Sequence, residues 1–362
     1  MKINRTYKYR LLPTSSQQIQ LEKHASVFTF LYNGFLSYSY HYYQKHHRLL
    51  QIREMFQVMA AIKKRYPETS SVTPKLVSSL IVHLFTELKT VNKEEWLVKK
   101  EKESFLLLDG FVLNQETNTI SIPQLGDLSY VNSRIMNGKI KTILFQKKFD
   151  KWYLSVTFEH SVPSQTNKSI RYVGIDVGLK EFAIFSTGKI ISNPRFYRSL
   201  EEKLKKEQRK LSRKHKGSAN WNKQLKKVQQ IHEQIYHSRM NFLHKLTTAI
   251  VRSYDVIGIE KLSIQTMVRN RKMSKSILDA SWATFVKLLK YKADEHHKTV
   301  IEVDRFYPSS KLCSHCGNQQ IMPLHLRTFV CNSCHTTIDR DYNASKNIEK
   351  KAKDLYHLTR NG

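Results

Sequence analysis

Acidic residues are the first thing this chain is short of. It carries 30 Asp+Glu against 61 Lys+Arg over 362 residues, a formal charge of +31. A surplus of that size repels itself in a compact fold unless a polyanion neutralises it, and nucleic acid is the commonest such partner. Surfaces tuned only for solubility do not need so one-sided a balance. Cysteine is scarce too: there are four, all in two C-x-x-C pairs, with none left over. That excludes a disulfide-stapled secreted scaffold and, in a reducing compartment, points to thiolate–metal bonds. Long apolar runs are missing. The longest, 105–113, is interrupted by Asp109 and Gly110 and is far too short to span a bilayer. The start, MKINRTYKYRLLP, has no apolar segment of signal-peptide type. A cytoplasmic protein with no membrane partner is expected. An apolar content of 40% excludes a disordered chain, and the length allows two or three domains.

Residues 1–12 alternate basic with apolar or aromatic side chains, a strand signal in which Lys8 and Arg10 are candidates for nucleic-acid contact. Pro13-Thr14-Ser15-Ser16 ends the strand and supplies a helix cap. Residues 17–50 are helical in pattern and rich in aromatics: Phe28, Phe30, Tyr32, Phe35, Tyr38, Tyr40, Tyr42 and Tyr43. Most belong in a core, and some could stack on exposed bases; spacing alone does not sort them. Further helices are expected near 53–65, 74–90 and 93–102. Over 105–160 the period becomes two, as in a small β-barrel, with the N-terminal strand as partner. Residues 162–169 read as a linker.

Beyond it, 170–187 reads as two strands and a turn, and 195–253 as a helical hairpin bent at Gly217-Ser218. Its apolar stripe is Leu200, Leu204, Leu211, Leu225 and Val228. Within 203–227 there are eleven Lys/Arg and one acid, Glu207. One-signed charge favours a phosphate-facing surface over a merely solvated one. The candidates there are Lys205, Lys206, Arg209, Lys210, Arg213 and Lys214. A strand at 255–262, a helix at 282–296 and a strand at 300–304 complete an alternating β/α pattern.

Two constellations carry chemistry. Cys313 and Cys316 form one pair and Cys331 and Cys334 the other, with fourteen residues between. Two such knuckles close a tetrahedral site, so a structural zinc is expected and not a catalytic one. His315, His325 and His335 read as surface histidines, because four thiolates already fill the shell. The second constellation is acidic. Asp176 sits in an apolar strand, Glu260 ends another, and Asp341 lies where a helix begins. A carboxylate among β-branched neighbours is costly to bury unless paired or bound to a cation. Each acid alone is unremarkable. Together, in this order, they can converge on hard divalent cations, Mg²⁺ or Mn²⁺, and two such ions serve phosphodiester hydrolysis.

These residues resemble the TnpB family of insertion-sequence proteins, related to the type V CRISPR effectors. The resemblance is carried by KYRLLPTSSQ, GIDVGLKEFAIFSTG, the basic hairpin, YDVIGIEKLSIQTM, DASWATFVKLLKYKA and DRFYPSSKLCSHCG…RTFVCNSCHTTIDRDYNASKNI. It spans almost the whole chain and is densest after residue 170. It implies an α/β RuvC-like nuclease domain of the RNase H fold (170–310 and 336–362) with a zinc ribbon (311–335) inserted before the last acid. It also implies a wedge-like β-barrel (1–15 and 104–165) interrupted by a helical recognition domain (16–103). By motif position the catalytic acids are Asp176, Glu260 and Asp341, with Asp339 the competing candidate for the last. The implied partners are a guide RNA from the element's end and target double-stranded DNA, with the protein at the nucleoid of a prokaryotic-type cell when on target. The implied activity is RNA-guided DNA cleavage.

Two positions depart from the family pattern: His335 stands where a Gly commonly follows the second pair, and Ser345 replaces a usual Ala. Some relatives have lost acids and act as RNA-guided repressors; here all three are present. A nuclease-independent regulator or a transposase accessory protein is the alternative. A recombinase lacks support, because no Tyr or Ser nucleophile constellation can be picked out.

Overall fold

The computed structural model describes residues 2–90, 103–148, 150–161, 169–323 and 325–361. It divides into two compact units, Met1–Val162 and Pro163–Gly362. The helix expected at 93–102 and nearly all of the linker expected at 162–169 lie outside the described residues.

In the first unit β1 (Lys2–Leu11) is followed by α1 (Ser15–His46). Alternation buries Tyr9 and Leu11 and leaves Lys8 and Arg10 exposed. Thr14 closes a capping box with Gln17, satisfying two amides that a helix start leaves unpaired. Helical spacing sorts the aromatic run: Phe28, Tyr32 and Phe35 are buried, whereas Phe30 and Tyr38 are exposed. Then come α2 (Ile52–Arg65), α3 (Pro74–Glu87) and the strands β2 (Ser104–Leu107), β3 (Val112–Asn114), β4 (Thr119–Ile122), β5 (Gly126–Val131), β6 (Lys139–Lys148) and β7 (Lys151–Ser161). They form one seven-stranded sheet in the order β2-β6-β7-β1-β5-β4-β3. β1 pairs antiparallel with β7 from Lys2↔Ser161 to Arg10↔Tyr153, so the first strand completes a sheet whose other members follow the helices. Among the described residues no pairing joins the end strands β2 and β3. Helices and sheet share one hydrophobic core, with Phe28, Leu80, Phe105, Phe145 and Trp152 at its heart.

The second unit holds a five-stranded sheet, β10-β9-β8-β11-β12. β8 (Tyr172–Val177), β9 (Glu181–Phe185) and β10 (Ile190–Ser192) run antiparallel in turn. β11 (Val256–Glu260) and β12 (Thr299–Val303) extend the sheet parallel to β8. Between β10 and β11 lies the hairpin α4 (Phe196–Ser212) and α5 (Ala219–Ser253), bent at Gly217, whose φ is +87°. Its seam is Leu204, Val228, Ile231 and Ile235 with Leu200 and Leu211; Leu225 is only half-buried. Gln224 is buried beside it, donating to the Glu207 carboxylate at 2.7 Å. α6 (Ile264–Val268), α7 (Arg271–Ala280) and α8 (Trp282–Glu295) precede β12. The small hairpin β13 (Thr328–Val330) and β14 (Thr337–Asp339) then leads into α9 (Arg340–Asn361).

A period of two decides what each face of this sheet does. Val173 and Ile175 of β8 and Ile257 and Ile259 of β11 join the core formed with α5 and α8. Gly174 and Gly258, paired directly across β8 and β11, therefore face the other way, towards α9. A Cβ on Gly174 would run into the Ser345 carbonyl oxygen and the Glu349 backbone. A Cβ on Gly258 would lie 2.6 Å from the Ala352 Cβ and 3.0 Å from the Ile348 carbonyl oxygen. These two glycines let a helix backbone sit almost directly on the strands.

Gly174→Ala should therefore lift α9 and destabilise the protein by at least the ~1–3 kcal/mol typical of overpacking. Gly258→Ala should cost less, and Ala352→Gly in the same chain should restore part of the loss, because the clash is with that methyl group. Chemical denaturation of the two single variants and the double variant checks both statements.

Candidate active site

The same alternation that turns Gly174 and Gly258 towards α9 also turns Asp176 and Glu260 that way, two residues further along each strand. Both lie at the C-terminal ends of their strands. Asp341 is in the first turn of α9, the helix seated on that face. All three side chains are partly buried. Burial, then the nearby carboxylates of Asp341 and Glu260, push the Asp176 carboxyl up to about 8. Burial likewise raises Glu260. A carboxyl buried beside other acids, as Asp176 is, disfavours its own ionisation, and a cation would relieve that cost.

Asp341 is held by two arginines. Arg340 donates from Nε to Oδ1 at 3.0 Å, and Arg327 donates from Nη1 to Oδ2 at 3.3 Å. Asp339 plays a different part. Its Oδ1 accepts the amides of Asp341 at 3.0 Å and Tyr342 at 2.9 Å, the pattern of a helix N-cap. Asn343 and Asn347, one turn apart on α9 and both buried, were not singled out by sequence reasoning. Asn343 donates to the Leu312 carbonyl at 2.6 Å and accepts from the Ser314 amide at 2.9 Å. Asn347 donates to the carbonyls of Ser309 and Leu312, each at 2.8 Å. Together they fasten α9 to the loop that enters the first cysteine knuckle. Their i, i+4 spacing was the available signal.

The cysteines converge. Their four sulfur atoms all lie within 4.8 Å of one another, among the described residues the one group of three or more ligating side chains to do so. The Cys313–Cys334 and Cys316–Cys331 sulfur separations are both 3.6 Å, close to the roughly 3.8 Å edge of a tetrahedron with 2.3 Å metal–sulfur bonds. Amides of Ser333 and Cys334 point at the Cys331 sulfur from 3.4 and 3.5 Å. The Thr336 side chain, 3.2 Å from the Cys334 sulfur, heads the influences that hold that thiol low, near 5. The donor set fits a closed metal site of the zinc kind. His315, His325 and His335 are exposed. Gly317 and His335 each follow the second cysteine of a knuckle, and both are left-handed, at φ +78° and +59°. Glycine takes that conformation freely; histidine does not.

The cationic candidates fall into two places. On β1, Lys8 lies 4.2 Å from the centre of the Tyr153 ring. On the hairpin, Lys205 pairs with Glu202 at 2.8 Å and Lys210 with Glu207 at 2.6 Å, so part of their charge is already answered. Lys206, Arg209, Arg213 and Lys214 make no ion pair among the described residues.

Similarity to known proteins follows this geometry. A family model described as "Probable transposase" matches residues 155–271, one described as "Cas12f1-like, TNB domain" matches 282–348, and a "Helix-turn-helix domain" model matches 1–48. In the structure that last span is a strand followed by a single long helix. A Streptomyces pristinaespiralis protein named "Putative RNA-guided DNA endonuclease" is 38% identical over 55% of this chain and 49% of its own length. The chain thus aligns with about half of that relative. The Escherichia coli K12 protein "Putative RNA-guided DNA endonuclease InsQ" is 27% identical over 96% of this chain and 92% of its own. Among solved structures, a Cas12f1–sgRNA–target DNA complex matches the fold with a TM-score of 0.61 at 13% identity, covering 96% of this chain and 99% of that one.

Fold and site first define a class: an α/β protein with carboxylates on its central strands and a four-cysteine metal ribbon leading into its last helix. Within that class, the chain is similar to proteins named as putative RNA-guided DNA endonucleases and as TnpB-like, and parts of it match transposase and Cas12f1-like family models.

Two outcomes follow from the site. The Asp176 carboxyl is raised from an unfolded value near 4 to about 8. The metal-free folded state therefore holds a proton that the unfolded chain gives up between those values, and stability from this group is lost as pH rises through that window. Asp176→Asn should remove the loss, so its melting temperature should exceed that of the unsubstituted protein by a margin that grows from pH 5 to pH 8. At the second knuckle, His335→Gly should relieve backbone strain of about 1 kcal/mol. A chelator titration of the metal-loaded protein should then need a higher chelator concentration for half-loss.

Proposed function

We propose that this chain is an RNA-guided DNA endonuclease of a transposable element. The observation that carries the reading is the common face shared by Asp176, Glu260 and the start of α9, which sets three acids at one end of a mixed sheet. The names of the relatives and the guide-RNA and target-DNA content of the matching complex support the partners. In this reading the sheet and its helices (170–310 and 336–362) form an RNase H-like, RuvC-type nuclease domain, and 311–335 a zinc ribbon. Residues 1–15 and 104–165 act as a wedge that holds guide RNA, and 16–103 as a recognition region. The work is done in the cytoplasm, on the nucleoid when at target.

Asp176, Glu260 and Asp341 would hold divalent magnesium. Two such ions are the complement expected for phosphodiester hydrolysis. When bound, such ions supply a water nucleophile at neutral pH and charge for the leaving oxygen. The chain's own residues do the rest. Arg340 and Arg327 hold the Asp341 carboxylate in place, and Asp339 fixes the first turn of α9 through its amides. The ribbon's metal is a brace and not a reactant, because four thiolates leave no open position. Lys8, Arg10, Lys205, Lys206, Arg209, Lys210, Arg213 and Lys214 grip nucleic-acid backbone by charge, while base pairing with the guide reads sequence.

Asp176→Ala in the guide-RNA complex should abolish target cleavage, because it removes a proposed direct ligand of the catalytic ions, while guide and target binding persist. Magnesium-dependent cutting at an undiminished rate would remove Asp176 from the site. Tight guided binding with no product from the unsubstituted protein would make it an RNA-guided regulator.

A further inference from the structure

The second unit contains a cavity of about 250 Å³ lined by Leu179, Lys180, Asn193, Arg195, Arg198, Ser276 and Asp279. None of these residues has a part in the site described so far. Three of them are cations and one is an acid, and the acid is already spent. Asp279 is 7% exposed, pairs with Arg239 at 2.8 Å, and accepts the Tyr197 amide with both oxygens at 2.9 and 3.0 Å. Lys180, Arg195 and Arg198 are exposed, and none of them has a carboxylate partner among the described residues. Arg198 donates only to the Ser276 hydroxyl, at 3.4 Å. The cavity is therefore cationic in effect, and the group it lacks is an anion.

Its position says which anion. Lys180 lies in the turn after β8, four residues beyond Asp176, hence no more than about 14 Å away along the chain. Asn193 donates to the Leu179 carbonyl at 2.9 Å and accepts the Arg195 amide at 3.2 Å, tying that turn to the segment after β10. β10 is antiparallel to β9, and β9 to β8, so β8 and β10 end at the same edge of the sheet. Asp176 and Glu260 sit at that edge too. In open α/β sheets the crevice outside the strands' carboxyl ends is where ligands bind. Arg195 is also held at φ +50°, a backbone conformation that costs an arginine about 1 kcal/mol or more.

We propose that Lys180, Arg195 and Arg198 form a phosphate-binding pocket for the DNA strand being cut, taking a backbone phosphate one or two nucleotides from the bond that is hydrolysed. The inference deepens the nuclease reading and rests on it. The pocket positions the strand by charge and makes no bond to the reacting phosphorus. Held at a second point, the strand cannot swing its scissile phosphate away from the carboxylates.

The test uses Lys180→Gln, Arg195→Gln and their combination, with Arg195→Lys as the conservative change, each in the full chain bound to guide RNA. Guide RNA and guided target binding should stay within about threefold, and cleavage should fall tenfold or more in the double variant, with Arg195→Lys recovering most of it. Substrates carrying one neutral methylphosphonate, stepped along the strand, should lose cleavage at one position near the cut. That loss should vanish in the double variant, which no longer reads that phosphate. A readout independent of cutting uses an Asp176→Ala background and a short single-stranded DNA oligonucleotide. There each lost cation should reduce the slope of log affinity against log salt by about 0.7. A position-dependent methylphosphonate loss that persists unchanged in the double variant, an unchanged salt slope, or loss of guide RNA in place of DNA would overturn the proposal. A protein that shows no magnesium-dependent cutting at all refutes the nuclease reading, and the salt slope still decides the pocket.

Discussion

The second unit depends on one close approach: α9 against the paired glycines of β8 and β11. Side chains at 174 and 258 would hold the helix off the sheet, and the Ser345 and Ile348 carbonyls occupy the space that a Cβ would need. Everything at the acidic site inherits its position from that contact. Asp176 and Glu260 follow the glycines by two residues on each strand, and Asp341 precedes Ser345 by one helical turn. A fixed helix-to-sheet distance thus sets the distance between carboxylates supplied by three separate stretches of chain. Ser345, in place of a small apolar residue, fits because its hydroxyl turns back to the Tyr342 carbonyl at 2.7 Å and takes no space from the sheet.

The ribbon and the helix are parts of one device. β14 runs into α9 with no intervening loop, and Asn343 and Asn347 tie the helix to the loop entering the first knuckle. A metal in the four-cysteine site would stiffen the segment that delivers Asp341, without touching the carboxylates. Arg327, next to β13, and Arg340, at the start of α9, reach Asp341 from this same segment. The electrostatics run the same way. A chain of net charge +31 gathers acids at this site although burial and then their mutual repulsion raise the Asp176 carboxyl to about 8. A cation bound among these carboxylates would offset that cost.

Much of the site could be read from residue types. Cysteine spacing announced a closed metal site, since C-x-x-C turns have few other uses in a chain with no spare thiols. The three acids were legible because an acid ending an apolar strand is conspicuous. The aromatic run on α1 was not: Phe28 and Phe30 are alike as letters, and only the helix's 100° step puts one in the core and the other in water. The same holds for Leu225 and Gln224, where a polar residue took the buried place through its bond to Glu207. Asn343, Asn347 and the Lys180–Arg195–Arg198 cavity passed unnoticed, because their partners lie between about 15 and 100 residues away in the chain.

The amino-acid sequence by itself determined the charge surplus, the paired cysteines, the β/α alternation and the order in which the three acids occur. Those properties live in composition and in local spacing, which fold topology does not alter. Tertiary structure alone decided that Gly174 and Gly258 are neighbours, that Asp339 is a cap while Asp341 faces the acids, and that three basic side chains enclose a cavity at the same sheet edge. Register between strands and the seat of a helix on a sheet come from packing between distant segments, and no single segment encodes them.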